Sequence, residues 1–233
     1  MRRKWIWTGA KVAAAGILII AATALAYGAD GYFDARRDAR RLGPRADGLM
    51  AQGRGGEGLG PGRLEQLLLV EDPGFEAHSG VDFSTPGAGL TSLTQSLGKR
   101  VGFASFRPGV RKIRLIGYAL GLERSLTKAQ IVALYLDTVE MGRGPNGRMV
   151  GFYEASRHIY GRPPHLLTEA EFLALVAVPI APRMFDLQKP NEALRTRRAR
   201  IQRLIGGQCR PTGLRDVWLE GCASPSAQPF QPR

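Results

Sequence analysis

"TKAQIVALYLDTVEM", residues 127–141, opens with Thr127 three positions ahead of Gln130 and then continues as an apolar run. That spacing forms a capping box. The threonine hydroxyl takes one of the first free N–H groups of a helix, and the glutamine side chain reaches back to the threonine's own N–H. The stretch "TEAEFLALVAV", residues 168–178, repeats the device with Thr168 and Glu171. Working outward, "RKIRLIGYALGLE" carries Ile113, Ile116 and Leu120 at helical spacing, and "PNEALRTRRARIQRLI" is a basic helix with Leu194, Ile201, Leu204 and Ile205 on its apolar side. No alternating strand pattern of useful length, no repeat and no heptad pattern is found. The expected class is all-α, with a helical domain over residues 63–206.

At 233 residues, 44% of them apolar, the chain has room for one core-forming domain and an appendage. The net charge of +13 points to an anionic partner, whether nucleic acid, a phospholipid surface or a phosphate-bearing substrate. The amino terminus narrows this choice. Arg2, Arg3, Lys4 and Lys11 precede an apolar run from Val12 to Ala29, with Trp5 and Trp7 set for one membrane interface and Tyr27 for the other. Residues 1–29 therefore read as a basic cytoplasmic end and a transmembrane anchor. A signal peptide cleaved after "ALA" at 24–26 is the alternative. Either reading exports the remainder, which disfavours a nucleic-acid partner. In an oxidising compartment Cys209 and Cys222 form a disulfide by default, with two unpaired thiols as the alternative. Residues 30–62 read as a charged helical segment followed from Gly43 by a Gly-rich tether. Residues 207–233 read as a disulfide-closed loop and a disordered Pro-rich tail.

Three clusters carry chemistry. In "LLLVEDPGFEAHSG", residues 67–80, an apolar helix ends on Glu71 and Asp72, and Pro73 and Gly74 force a turn. Phe75 adds an apolar wall and His78 a polar neighbour, surroundings that raise a carboxylate's pKa toward the range of a general base. In "GLTSLTQSLGKR", Thr91, Ser92, Thr94 and Gln95 supply short hydrogen-bonding groups, with Lys99 and Arg100 one turn on. Arg111 and Lys112 open the third cluster and with Lys99 suit the oxygens of a diphosphate. Each cluster alone also reads as an ordinary solvated helix end or face.

Their order is more specific. "EDPGFEAHSG", "GLTSLTQSLGK", "RKIRLIGYALGLE", "TKAQIVALYLDTVEM" and "RTRRARI" resemble, in sequence order, the segments of the peptidoglycan glycosyltransferases of glycosyltransferase family 51, over residues 63–204. The resemblance to the monofunctional biosynthetic transglycosylase type implies a lysozyme-like helical domain behind a single membrane span, with the domain in the periplasm at the outer face of the inner membrane. It implies polymerisation of lipid II into a growing glycan strand, with Glu71 as general base. The implied substrate-binding residues are Asp72, His78, Thr91, Ser92, Thr94, Gln95, Lys99, Arg111, Lys112 and Glu123. It further implies a divalent cation, magnesium or manganese, at the diphosphate, and cross-linking transpeptidases as partners.

The sequence also departs from that pattern. The family's R-K-x-x-E segment has Leu115 at its glutamate, "TSLTQS" has Ser96 at the second glutamine, and "YLD" ends in Asp137 in place of asparagine. The bridge "VDFSTPGAG" is short where the family has room for a further helix. An active enzyme drawing a carboxylate from Glu123 or Asp137 is one expectation. A non-catalytic relative that binds lipid II or a cell-wall partner is a second, and a membrane-tethered lytic glycosidase a third.

Overall fold

A computed structural model describes residues 2–145 and 147–223, apart from the side chains of residues 2–10 and 12. The expectations for Trp5, Trp7, the first basic side chains and the Pro-rich tail from residue 224 lie outside the described residues. The fold is helical. It comprises α1 (Arg2–Ala51), α2 (Arg63–Glu71), α3 (Leu93–Val101), α4 (Arg111–Ser125), α5 (Lys128–Thr138), α6 (Phe152–Tyr160), α7 (Glu169–Ala177) and α8 (Glu192–Ile205), with strands β1 (Glu140–Gly144) and β2 (Gly147–Val150) between α5 and α6. Helices α5 and α7 are central: Ile131 to Leu136 and Phe172 to Ala177 are buried without a break. Both begin at the expected capping boxes, and α3 begins at a third, Ser92 with Gln95.

Helix α1 is 50 residues long, so at 1.5 Å per residue it extends about 75 Å. Its outer part presents Ile17, Leu18, Ile19, Ile20 and Leu25 at 67–75% exposure, and its most apolar window has a mean hydropathy of 1.6. A surface this apolar with no protein cover suits a bilayer interior. Farther along, Ala35 and its helically spaced neighbours Ala39, Leu42, Ala46 and Leu49 form one buried stripe.

This stripe corrects the expected tether. The helix continues through Gly43, Pro44 and Gly48 to Ala51. Glycine and proline disfavour a helix by about 1 and 3 kcal/mol, but fully burying a leucine contributes about 1.5–3 kcal/mol, and Leu42 and Leu49 are both buried. Tertiary packing therefore overrides local propensity. The glycines that follow are packed as well: Leu59 in the short helical turn Glu57–Leu59 is fully buried, and the Tyr153 hydroxyl donates to the Gly55 carbonyl at 2.6 Å.

Helix α4 lies parallel to α1. Its Ile113 faces Gly28, Gly121 faces Tyr32 and Ala35, and Leu126 faces Gly43. The backbones touch, because a Cβ at Gly117 would overlap the Gly28 carbonyl and one at Gly31 the Arg114 carbonyl. Arg114 pairs with Asp30 and Asp34, and the Tyr118 hydroxyl donates to Asp38 at 2.6 Å. The parallel direction puts the start of α4, with Arg111 and Lys112, beside the end of the apolar part of α1.

The strands were not foreseen. They form an antiparallel hairpin pairing Glu140 with Val150 and Gly144 with Gly147, with an irregularity between Glu140 and Arg143. Cys209 and Cys222 are joined, with Cα atoms 5.3 Å apart. Their loop docks on the short bridge: the Gly87 N–H donates to the Gly213 carbonyl at 3.0 Å and the Gly89 N–H to that of Leu214 at 2.8 Å.

Candidate active site

Glu71 is the last residue of α2, and Asp72 caps the helix by donating its N–H to the Leu68 carbonyl. The turn behind them is fastened from α5, where the Lys128 ammonium donates to the carbonyls of Phe75 (2.6 Å) and His78 (2.7 Å) and pairs with Glu123 at 2.9 Å. Asp72 is fully buried. It accepts from His78 Nε2 at 2.9–3.0 Å and from the Leu93 N–H at 2.7 Å, tying the acid pair to the start of α3. Asp72 and His78 thus serve as a brace.

Glu71 has different company. Its Oε2 accepts from the Tyr135 hydroxyl at 2.7 Å. Burial raises its pKa most strongly, with Asp72 adding to the rise, while Tyr135, Arg197 and Arg100 oppose it. Tyr135 is held well above its ordinary value by burial and by Glu71, so it remains a donor. The outcome is a carboxylate with a raised proton affinity, oriented by a phenol and flanked by two guanidinium groups.

The second and third clusters meet at Thr91. Lys99 and Lys112 both approach its hydroxyl within 3.4 Å, and Lys112 also donates to Gln95 Oε1 at 3.1 Å and to the Leu90 carbonyl. Burial and the neighbouring Lys99 lower the Lys112 pKa to about 8; burial lowers that of Lys99 too. Arg111 is exposed and donates to the Ser105 carbonyl at 2.9 Å, apart from that pair. Lys99 and Arg100 line a cleft of about 730 Å³ with Arg41, Arg45 and Arg148. Ser92 and Thr94 are turned into the fold instead, Ser92 toward the Gly80 carbonyl and Thr94 toward Glu123. Cation density thus concentrates on Lys99, Lys112 and Arg100.

Among the described residues a divalent ion finds no fitting ligand set at this site. Leu115 is fully buried, Glu123 is engaged by Thr94 and Lys128, and Asp137 is paired with Arg45 and Arg54. Asp72, His78 and Asp82 lie close enough together to suggest a metal site. However, His78 Nδ1 accepts from the Gly80 N–H while Nε2 faces Asp72, so neither ring nitrogen is free to ligate as a neutral imidazole.

Sequence reasoning missed Arg100, Tyr135 and Arg197. Arg197 left a readable signal: it is 4% exposed and shares one helical stripe with Leu194, Ile201 and Leu204, where a charge needs a reason. Tyr135 was hidden in an apolar run, and Arg100 read as a companion of Lys99.

The protein family described as Transglycosylase matches residues 59–205. A penicillin-binding protein 1B from Buchnera aphidicola subsp. Acyrthosiphon pisum is 33% identical over 148 residues, 58% of this chain and 20% of that protein. Penicillin-binding protein 1A of Pseudomonas aeruginosa is 28% identical over 156 residues, 61% and 18% of the two chains. A biosynthetic peptidoglycan transglycosylase of Xanthomonas campestris pv. campestris is 28% identical over 157 residues, 62% of each. The matched region spans less than two thirds of each of these relatives. It contains Glu71, Tyr135, Arg197 and the lysine pair, so the helical fold, the site and the family match coincide: the chain belongs to the transglycosylase family.

Proposed function

We propose that the protein is a peptidoglycan glycosyltransferase that polymerises lipid II, with α1 as a single-pass anchor in the plasma membrane and the remaining helices on its outer, periplasmic side. The observation that carries this reading is the pairing of a raised-pKa carboxylate, Glu71, with two lysines that meet at Thr91, Lys99 from the last turn of α3 and Lys112 from the membrane-proximal start of α4. A lipid-linked diphosphate has its charge at the height of the headgroups, which is where the parallel packing of α4 on α1 supports placing Lys112.

In this reading Glu71 takes the proton from the acceptor sugar's hydroxyl as the oxygen attacks the donor's anomeric carbon. The C–O bond to the undecaprenyl diphosphate breaks, and its electron pair leaves with the diphosphate. Lys99 and Lys112 bind the diphosphate and stabilise the departing charge, with Thr91 between them. Tyr135 fixes the orientation of Glu71. No step passes through a divalent ion, for which the described residues supply no fitting ligand set. Cross-linking of the glycan would fall to partner transpeptidases, as the names of the penicillin-binding relatives suggest.

The test is glycan formation from lipid II by the full-length protein in detergent. Glu71→Gln should lower turnover about 100-fold or more with the helical circular dichroism unchanged, since an amide cannot accept the proton. Near-normal turnover by a folded Glu71→Gln protein would reject Glu71 as the base. Binding of lipid II without turnover by the unaltered protein would favour a non-catalytic relative, and release of sugar from preformed cell wall a lytic glycosidase.

A further inference from the structure

Arg100 is tied on several sides yet spends its hydrogen bonds on neutral groups. Its Nη1 donates to Ser96 Oγ at 2.9 Å and its Nε to Thr138 Oγ1 at 3.1 Å. The Thr138 hydroxyl gives its own proton to the Leu134 carbonyl at 2.7 Å, so toward Arg100 it can only accept. The guanidinium carbon lies 5.0 Å from the centre of the Tyr135 ring, whose hydroxyl holds Glu71. Arg100 Nη2 is buried without a partner. The substitution of Ser96 for the family's second glutamine now has a physical correlate, because the short hydroxyl receives Arg100 on the next turn of α3.

We propose that Arg100 is a positioning residue for Glu71: fixed by Ser96, Thr138 and the Tyr135 ring, its guanidinium keeps the general base ionised and its phenol partner in place. This rests on the reading of Glu71 as the base.

A base in apolar surroundings is useful only if something offsets the cost of its charge before substrate arrives. The charged and titratable groups around Glu71 come from four elements. Asp72, which caps α2 beside it, opposes ionisation but is itself satisfied by His78 and Leu93. Tyr135 on α5 donates to it. Arg197 on α8 favours ionisation, but its own charge is disfavoured by burial and by Arg200, its pKa is lowered to about 10, and Asp216 shares its field. Arg100 on α3 favours ionisation too, after Arg197; burial lowers its own pKa, and Tyr135, Glu71 and, least, Glu140 oppose that lowering. With its hydrogen bonds given to hydroxyls, no carboxylate among the described residues neutralises Arg100 by direct contact. Its positive charge therefore remains available to favour the ionised form of Glu71, whose phenol partner Tyr135 it also contacts.

The experiment compares pH profiles of lipid II polymerisation by full-length variants in detergent. Lys112, with a pKa near 8, governs the alkaline side, so the acid limb reports Glu71, and ionisation of the substrate is common to all variants. Arg100→Met should shift the acid limb upward by about one pH unit, roughly a tenfold loss on that limb. Arg100→Lys should restore most of the shift, as a purely structural role for the guanidinium fork would not allow. Thr138→Val, which loosens the guanidinium and keeps its charge, should shift the limb in the same direction by less. An acid limb in Arg100→Met that coincides with the unaltered protein's overturns the inference. If Arg100→Met does not fold, an unmoved limb in Thr138→Val overturns it instead. Should Glu71→Gln retain turnover, the reading of Glu71 itself fails; an inactive Glu71→Gln with unmoved limbs rejects only the role of Arg100.

Discussion

Lys112 carries the charge in the candidate site that responds to mild alkali. Its pKa is lowered to about 8, so above that pH the amine is neutral and its attraction for a diphosphate is lost. Lipid II affinity should therefore be level near pH 7 and fall several-fold by pH 9. Lys112→Arg, charged throughout, should flatten the dependence. Equal affinity of the unaltered protein at both pH values would remove Lys112 from the diphosphate site. Leu115 is the opposite case. With no exposed surface and Gly98 of α3 packed against its Cδ1, its position gives a carboxylate no access to water. Leu115→Glu should lower stability by several kcal/mol, read as a large fall in melting temperature, with no gain in polymerisation. A stable, more active variant would mark the natural chain as catalytically impaired. Candidate residues could be named from the sequence where a motif announced them, as at Glu71 and at Lys99 and Lys112, which the fold brings together at Thr91. Arg100 was not, because its role depends on Thr138 and Tyr135, which lie far from it in sequence.

Among the elements, the crossing of α1 and α4 depends on missing side chains. Alanine is the better helix former by about 1 kcal/mol, yet at Gly117 its methyl would overlap the Gly28 carbonyl, and no rotamer change can relieve a backbone contact. Gly117→Ala should therefore destabilise the protein by about 1–3 kcal/mol, with limited proteolysis cutting α1 earlier than in the unaltered chain. Unchanged melting and digestion would mean that the two helices separate at no cost. The sequence read α5 and α7 correctly because capping, periodicity and burial agree there. It misread residues 43–62 because glycine content reports only the local preference, whereas Leu42, Ala46, Leu49 and Leu59 are held by distant partners. The hairpin was missed for a related reason: five residues of β1 and four of β2 are too few for an alternation to stand out.

For the molecule as a whole, the segments outside the family match brace the matched core from both ends. At the carboxyl end, the disulfide loop holds the short bridge through Gly213 and Leu214, and Arg203 donates to the Cys222 carbonyl at 2.7 Å. Alkylation of the full-length protein without reductant should label neither Cys209 nor Cys222. The Cys209→Ser, Cys222→Ser variant should lose about 3 kcal/mol. Quantitative labelling of both thiols would dismiss the bond. At the amino end, only two residues separate Leu25, exposed on the apolar part of α1, from Gly28, packed against Ile113. A stem with no joint makes the height of the site a property of the lipid. Where the hydrocarbon layer is thicker or thinner than the apolar length of α1, the helix must tilt or shift to match it. The docked helices, and Lys112 with them, then move as one piece relative to the headgroups.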